Sequence, residues 1–148
     1  VAMKGFDWRG EAVRKRMEKA TAVGINRTMG ECVALSKANH TWQNRTGTAE
    51  RSIRIYRSAV RVASQIRGWW GSVNVSYFKN LEFGSPPHLI FPTRGRVLVW
   101  KGKDGKRRGA TVVRHPGTKA QPVLVPTAHK VYPRLAMHIR NAFGGVFG

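Results

Sequence analysis

From Gly10 to Ala38 the chain runs without a proline. The stretch is rich in Ala, Arg, Lys, Glu and Met, residues that lose little on entering a helix. It predicts one long helix, and no other segment limits the architecture as much. The apolar positions do not make one stripe. Val13, Met17, Ala20 and Gly24 share one face. Ala22, Ile25, Met29, Cys32 and Val33 share another, turned by about a third of a revolution at ~100° per residue. Such a helix packs on two partners or bends near Gly24 or Gly30. A single broad buried face is the competing arrangement.

Beyond this helix the pattern shortens. Residues 39–50 read as a polar loop. "SIRIY" then alternates apolar and basic, the period of a half-buried strand, and "AVRV" (59–62) continues it or pairs with it. "GSVNVS" (71–76) alternates again. "YFKNLEFG" (77–84) places Tyr77, Phe78 and Leu81 at helical spacing and ends in a glycine suited to a C-cap. "SPPHLIFP" holds too many prolines for a central strand. "RVLVW" and "ATVV" flank "KGKDGKRRG", whose Asp-Gly signals a hairpin with a basic, protruding tip. Ala128, Val131, Leu135, Ile139 and Ala142 mark a closing helix over 127–143, interrupted by Pro133, with Thr127 as its N-cap. The expected class is α+β in a single domain, residues 1–148: a long helix at 10–38, a small mostly antiparallel sheet with its hairpin at 51–114, and the closing helix.

The charge narrows the partners. Lys and Arg number 27 against seven acids, a net +20. From Phe83 onward Asp104 is the one acid among twelve basic residues. Such a field attracts polyanions, with nucleic acid foremost and acidic protein or a membrane face behind it. Arg94, Arg96, Lys101, Lys103, Lys106, Arg107 and Arg108 are the candidates to face DNA or an acidic partner. They supply charge without sequence reading. "RIYR" and "IRGWW" interleave cations with aromatics, yet Trp69 and Trp70 suit core or interface better than base stacking. One cysteine, Cys32, excludes an internal disulfide and fits a reducing compartment. No leader and no apolar run of ~20 residues is seen, so a soluble, non-membrane protein is expected.

Catalytic chemistry finds little footing. The histidines at 40, 88, 115, 129 and 138 lack metal-ligand spacing, and no phosphate loop occurs. In "RHPGTKAQPVLVPTA" His-Pro extends residue 115, Pro116-Gly117 makes a turn, and Pro122 and Pro126 stiffen the approach to the last helix. His115 then bonds within its loop and His129 rides on the helix. No enzyme and no cofactor are expected. The competing readings are a stand-alone nucleic-acid-binding protein and a small nuclease-like enzyme built around His115, with His88 beside it.

Three motifs occur in order: Thr46-Gly47 with Ser52-Ile53, then Tyr77 with Glu82-Phe83-Gly84, then His115-Pro116-Gly117-Thr118 with Pro122-Val123-Leu124 and Pro126. In order and spacing they resemble the gene-product-ten-like family of tail components of long-tailed bacteriophages, counted among neck or tail-completion proteins. The resemblance covers residues 10–143. Ala49 stands where leucine is usual, Val123 for phenylalanine and Thr127 for alanine. Residues 85–114 match the family's variable hairpin. The resemblance implies a virion protein at the head–tail junction, present in the host cytoplasm during assembly. It would form a cyclic homo-oligomer of roughly six or twelve copies beside neighbouring neck and tail proteins, with packaged DNA passing through. Subunit contact would then fall on Ile25, Met29 and Val33 of the first helix and on Phe143, Val146 and Phe147 of the tail.

Overall fold

A computed structural model describes residues 9–147, with the backbone alone at 146 and 147. The fold is α+β, with a long N-terminal helix, small antiparallel sheets and a C-terminal helix. The elements are α1 (Gly10–Ala38), α2 (Thr48–Ser52), β1 (Ile53–Val62), β2 (Gln65–Ser72), α3 (Phe78–Phe83), β3 (His88–Ile90), β4 (Leu98–Lys101), β5 (Arg107–Ala110), β6 (Val113–His115), α4 (Leu124–Val131) and α5 (Leu135–Phe147). The described strands form three two-stranded antiparallel sheets, β1–β2, β3–β6 and β4–β5. The chain divides into two compact units. One takes in the described residues up to Ser76 and those from Val123 on; the other is Tyr77–Pro122.

In the first unit α1 runs unbroken through Gly24 and Gly30. Its buried side is a row of small residues four apart, Ala20, Gly24, Thr28, Cys32 and Ser36, with Met29 beside it. Small side chains let a second helix come close. A Cβ on Gly24 would lie 2.7 Å from both Cα and N of Ile139, so α5 crosses here main chain against main chain. Thr28 Oγ1 donates to the Gly24 carbonyl (2.9 Å) and lies 2.8 Å from His138 Nδ1. With the hydroxyl proton so directed, His138 Nδ1–H is the donor to Thr28. His138 is buried, and its Nε2 stands 3.5 Å from Glu31, whose carboxylate also pairs with Arg134. Burial first, and then the Glu31 carboxylate, pushes the Cys32 thiol up to about 11.

A second side of α1 carries the β1–β2 ribbon. Asn26 Oδ1 accepts the Ala59 N–H at 2.7 Å, and Arg61 reaches Glu18 at 2.8 Å. The Met29 thioether fills the space over Gly68, where a Cβ would meet Sδ at 2.9 Å. Past its first turns α1 is therefore covered by its own chain, by α5 on one side and the ribbon on the other, while Val13 and Met17 stay exposed.

Several local expectations need correction. The loop at 39–50 gives way to α2 at Thr48, entered through Gly47 at φ 70°. The second strand is Gln65–Ser72 rather than 71–76. Its partner β1 begins at Ile53, opposite Ser72, so little remains for Val73 to pair with beyond the Ser52 carbonyl at 3.1 Å. "ATVV" is split, with Ala110 closing β5 and Val113 opening β6. The last helical region starts at Leu124. Thr127 lies inside α4, its N–H bonded to the Val123 carbonyl at 3.2 Å, and Val123 is the N-cap. Pro126 is tolerated because a first helical turn has no acceptor for its missing N–H. Pro133 falls in a 3-10 turn, Tyr132–Arg134, from which α5 restarts.

Two glycines of α1 give opposite expectations. Gly30→Ala meets nothing within 4 Å. It should stabilise the chain by roughly 0.5–1 kcal/mol through helix propensity. Gly24→Ala makes the same gain but collides with the Ile139 main chain, and should lower stability by roughly 1–2 kcal/mol. Urea unfolding of both variants checks the sign.

Candidate functional site

The second unit is built around two of the sequence motifs, which meet. Gly84 ends α3 at φ 75°, and a Cβ there would lie 2.7 Å from the Thr118 carbonyl oxygen. Gly117 has φ 90°, and a Cβ there would lie 2.4 Å from the Ser85 carbonyl oxygen and 3.0 Å from Pro86. Between these contacts Ser85 and Thr118 exchange backbone hydrogen bonds in both directions, at 2.9 and 3.0 Å. Gln121 N–H adds a 2.7 Å bond to the Leu81 carbonyl. Each glycine is required twice over, by its left-handed backbone and by the opposing strand. Glu82 is buried and Phe83 is exposed. In the first unit the Thr46-Gly47 motif likewise shapes a turn. Thr46 Oγ1 lies 3.0 Å from Thr48 Oγ1, and the Thr46 carbonyl accepts from Arg51 at 2.8 Å.

His115 lies at the junction of the two motifs in the second unit. Its Nδ1 accepts the Gly117 N–H at 3.0 Å, which fixes the turn after Pro116. His88 is its cross-strand partner, with ring centroids 4.9 Å apart. His88 Nδ1 lies 2.9 Å from the Pro86 carbonyl, which can only accept, so that nitrogen carries the proton. One nitrogen of each ring is thus committed to the loop. No acid lies in hydrogen-bond contact with either ring among the described residues. His129 is exposed on α4. Among the described residues no group of three or more His, Cys, Asp or Glu is placed to hold a metal, and no helix is long and apolar enough to cross a membrane.

The expected hairpin is present, but its second strand is Arg107–Ala110 rather than "ATVV". Leu98–Lys101 pairs with Arg107–Ala110, and the Gly102–Lys106 turn closes with Gly102 N–H on the Lys106 carbonyl at 2.9 Å. Gly105 takes φ 75° and Asp104 Oδ1 accepts the Lys106 N–H at 3.2 Å. Arg108 pairs with Asp104 at 3.2 Å. Arg94, Arg96, Lys101, Lys103, Lys106 and Arg107 are exposed and make no ion pair with any described residue.

The described carboxylates are engaged elsewhere or buried. Glu11 and Glu18 hold Arg14, and Glu18 also holds Arg61. The Arg14 hydrogen bonds, opposed by some desolvation, leave the Glu11 carboxyl below its usual range. Glu31 pairs with Arg134, and Glu50 with Asn44 and, at 3.7 Å, His40. Glu82 is buried and Asp104 is paired. Asp7 lies outside the described residues.

The residues singled out for subunit contact are dispersed. Met29 is buried under the ribbon, and Ile25 lines an apolar cavity of about 320 Å³ with Trp69, Trp70, Tyr132 and Leu135. Val33 and Phe143 are half-buried, and the side chains of Val146 and Phe147 lie outside the described residues. The exposed apolar side chains of α1 are instead Val13, Met17 and Val23. Trp70 Nε1–H donates to Tyr132 Oη at 3.0 Å and Arg57 lies 4.9 Å over Trp69, so both indoles have protein partners.

A feature missed in the sequence is the apolar exposure of the second unit. From Phe83 to Pro122 no residue is buried. Leu89 is 53% exposed, Phe91 59%, Val99 57% and Trp100 42%. The run "RVLVW" between two polar stretches was the available signal. Compared with protein-family models, with curated proteins and with solved structures, the chain matches none.

The motif junction yields a paired expectation. Gly105→Ala has open space and should cost about 1 kcal/mol for its left-handed backbone alone. Gly117→Ala adds the collision with Ser85 and should cost roughly twice that or more. Limited proteolysis should accelerate within residues 85–122 for Gly117→Ala and change little for Gly105→Ala.

Proposed function

We propose that this chain is a non-enzymatic structural protein of a tailed-phage virion. It assembles as a ring of roughly six or twelve copies at the head–tail junction, with DNA passing through. The virion setting rests on the resemblance carried by the Thr46-Gly47, Glu82-Phe83-Gly84 and His115-Pro116-Gly117-Thr118 motifs. The observation that favours contact with a polyanion is the set of six exposed cations from Arg94 to Arg107, none of them ion-paired among the described residues. Subunits of this charge repel one another, by an amount that salt reduces. Closure of the ring therefore waits on neck partners, on DNA or on high concentration. Because Gly24 lies against α5 and Met29 under the ribbon, contact between copies draws on the exposed Val13, Met17 and Val23.

Electron microscopy of assembled particles tests the virion role. Density for this chain in a closed ring at the neck is expected. A chain absent from particles and monomeric throughout would leave the second reading, a stand-alone nucleic-acid-binding protein, which the same cations favour. Contact with DNA has its own measure. Duplex binding should be sequence-independent, with log K falling linearly in log salt. Replacing Lys101, Lys103, Lys106 and Arg107 by glutamine should reduce that slope by about 3 to 4. An unchanged slope would move the contact to the arginines of β1 and β2.

A further inference from the structure

The six cations account for attraction to a polyanion, but they leave the exposed apolar residues of the same segment unexplained. Ile90, Leu98, Val99, Trp100 and Val113 line a groove of about 310 Å³ in the second unit, and none of the five is charged. Ile90 and Val113 are cross-strand partners in β3–β6, and the other three belong to β4.

The backbone beside the groove is also open. Gly102 and Lys106 form a bonded pair at the turn, so the bonded pairs of the ladder are Trp100 with Arg108 and Leu98 with Ala110. Val99 and Lys101 therefore turn N–H and C=O away from β5. No described strand pairs with that edge. Gly109 stands opposite Val99, so no side chain covers Val99 across the ladder. A short two-stranded sheet of this kind is marginal alone and gains from a third strand.

We propose that the outward edge of β4, with the groove beside it, is a docking slot for an extended, acidic segment of another protein, which adds as a strand. Donors and acceptors at two-residue spacing match a peptide backbone and not a row of phosphates, which offers acceptors only. The uncharged groove takes alternate apolar side chains. The unpaired Arg94, Arg96, Lys101 and Arg107 call for acidic side chains at the remaining positions. Residues 77–122 hold ten basic residues against Glu82 and Asp104. A second copy of this chain is a poor occupant, since its described carboxylates are buried or already paired. The inference rests on the second unit alone and stands whether or not the protein belongs to a virion.

The test uses the full chain and a synthetic peptide of ~8 residues that alternates Glu with Val, the spacing a strand presents. Its comparators are a peptide of the same composition in two blocks and duplex DNA. The alternating peptide should bind about tenfold or more tighter than the block peptide and should slow amide exchange at Val99 and Lys101. Val99→Pro removes the outward N–H while keeping the bonded pairs of the hairpin. Trp100→Ser removes a wall of the groove. Each should weaken the alternating peptide about tenfold or more and leave duplex binding as in the parent. Equal affinity for the two peptides, or no binding by either, overturns the proposal. So does displacement of the peptide by DNA with both variants behaving as the parent, which would assign the surface to nucleic acid.

Discussion

The first unit depends on a contact to which one of the two helices contributes no side chain. Where α5 crosses α1 at Gly24 the two backbones come close, within a buried row of small residues that also holds Ala20, Thr28, Cys32 and Ser36. Dispersion between closely packed main chains replaces the large apolar side chains that hold most helix pairs apart. Of the polar groups buried here, Thr28 bonds to Gly24 and His138 and Glu31 meets Arg134, while the Ser36 hydroxyl has no hydrogen-bond partner among the described residues. With α5 so close on one side, Ile25 and Met29 point to another and receive the ribbon. The order of the layers follows from that one crossing.

Much of the secondary structure was legible because it follows from local chemistry. The run of helix-forming Ala, Arg, Lys, Glu and Met over 10–38 marked α1, and Asp104-Gly105 marked the hairpin. The β1–β2 turn was not legible. It is made at Ala63, which carries a Cβ yet takes φ 54°, and neither Ala nor Ser advertises a tight turn. Alternation in 71–76 misled because register depends on where the partner strand begins, a long-range fact. The two faces expected of α1 were only partly right: Val13 and Met17 are exposed, and Cys32 lies in the buried row with Ala20 and Gly24 rather than apart from it. Small residues at four-residue intervals were the unread sign of a close helix neighbour.

For the candidate site the cations were evident from composition and the groove was not. Leu98, Val99 and Trp100 have the composition of a buried strand. Only the three-dimensional arrangement places them in a segment with no buried residue, beside Ile90 and Val113. His115 illustrates the opposite lesson. A histidine before Pro-Gly invites a catalytic reading, and the structure gives its Nδ1 a backbone N–H to hold. That bond helps to close the turn and so contributes to the shape of the loop.

The reciprocal glycines, Gly84 and Gly117, have a consequence for how such a protein can change over generations. They lock residues 85–117 at the base through main-chain contacts, with no packed interior to be conserved further out. Side chains beyond that lock can drift without repacking a core, because no core is there to disturb. The lock itself tolerates almost nothing. A segment of this kind separates the positions that keep a shape from those that choose what it recognises. The same scaffold can then be turned toward new partners by ordinary surface mutation.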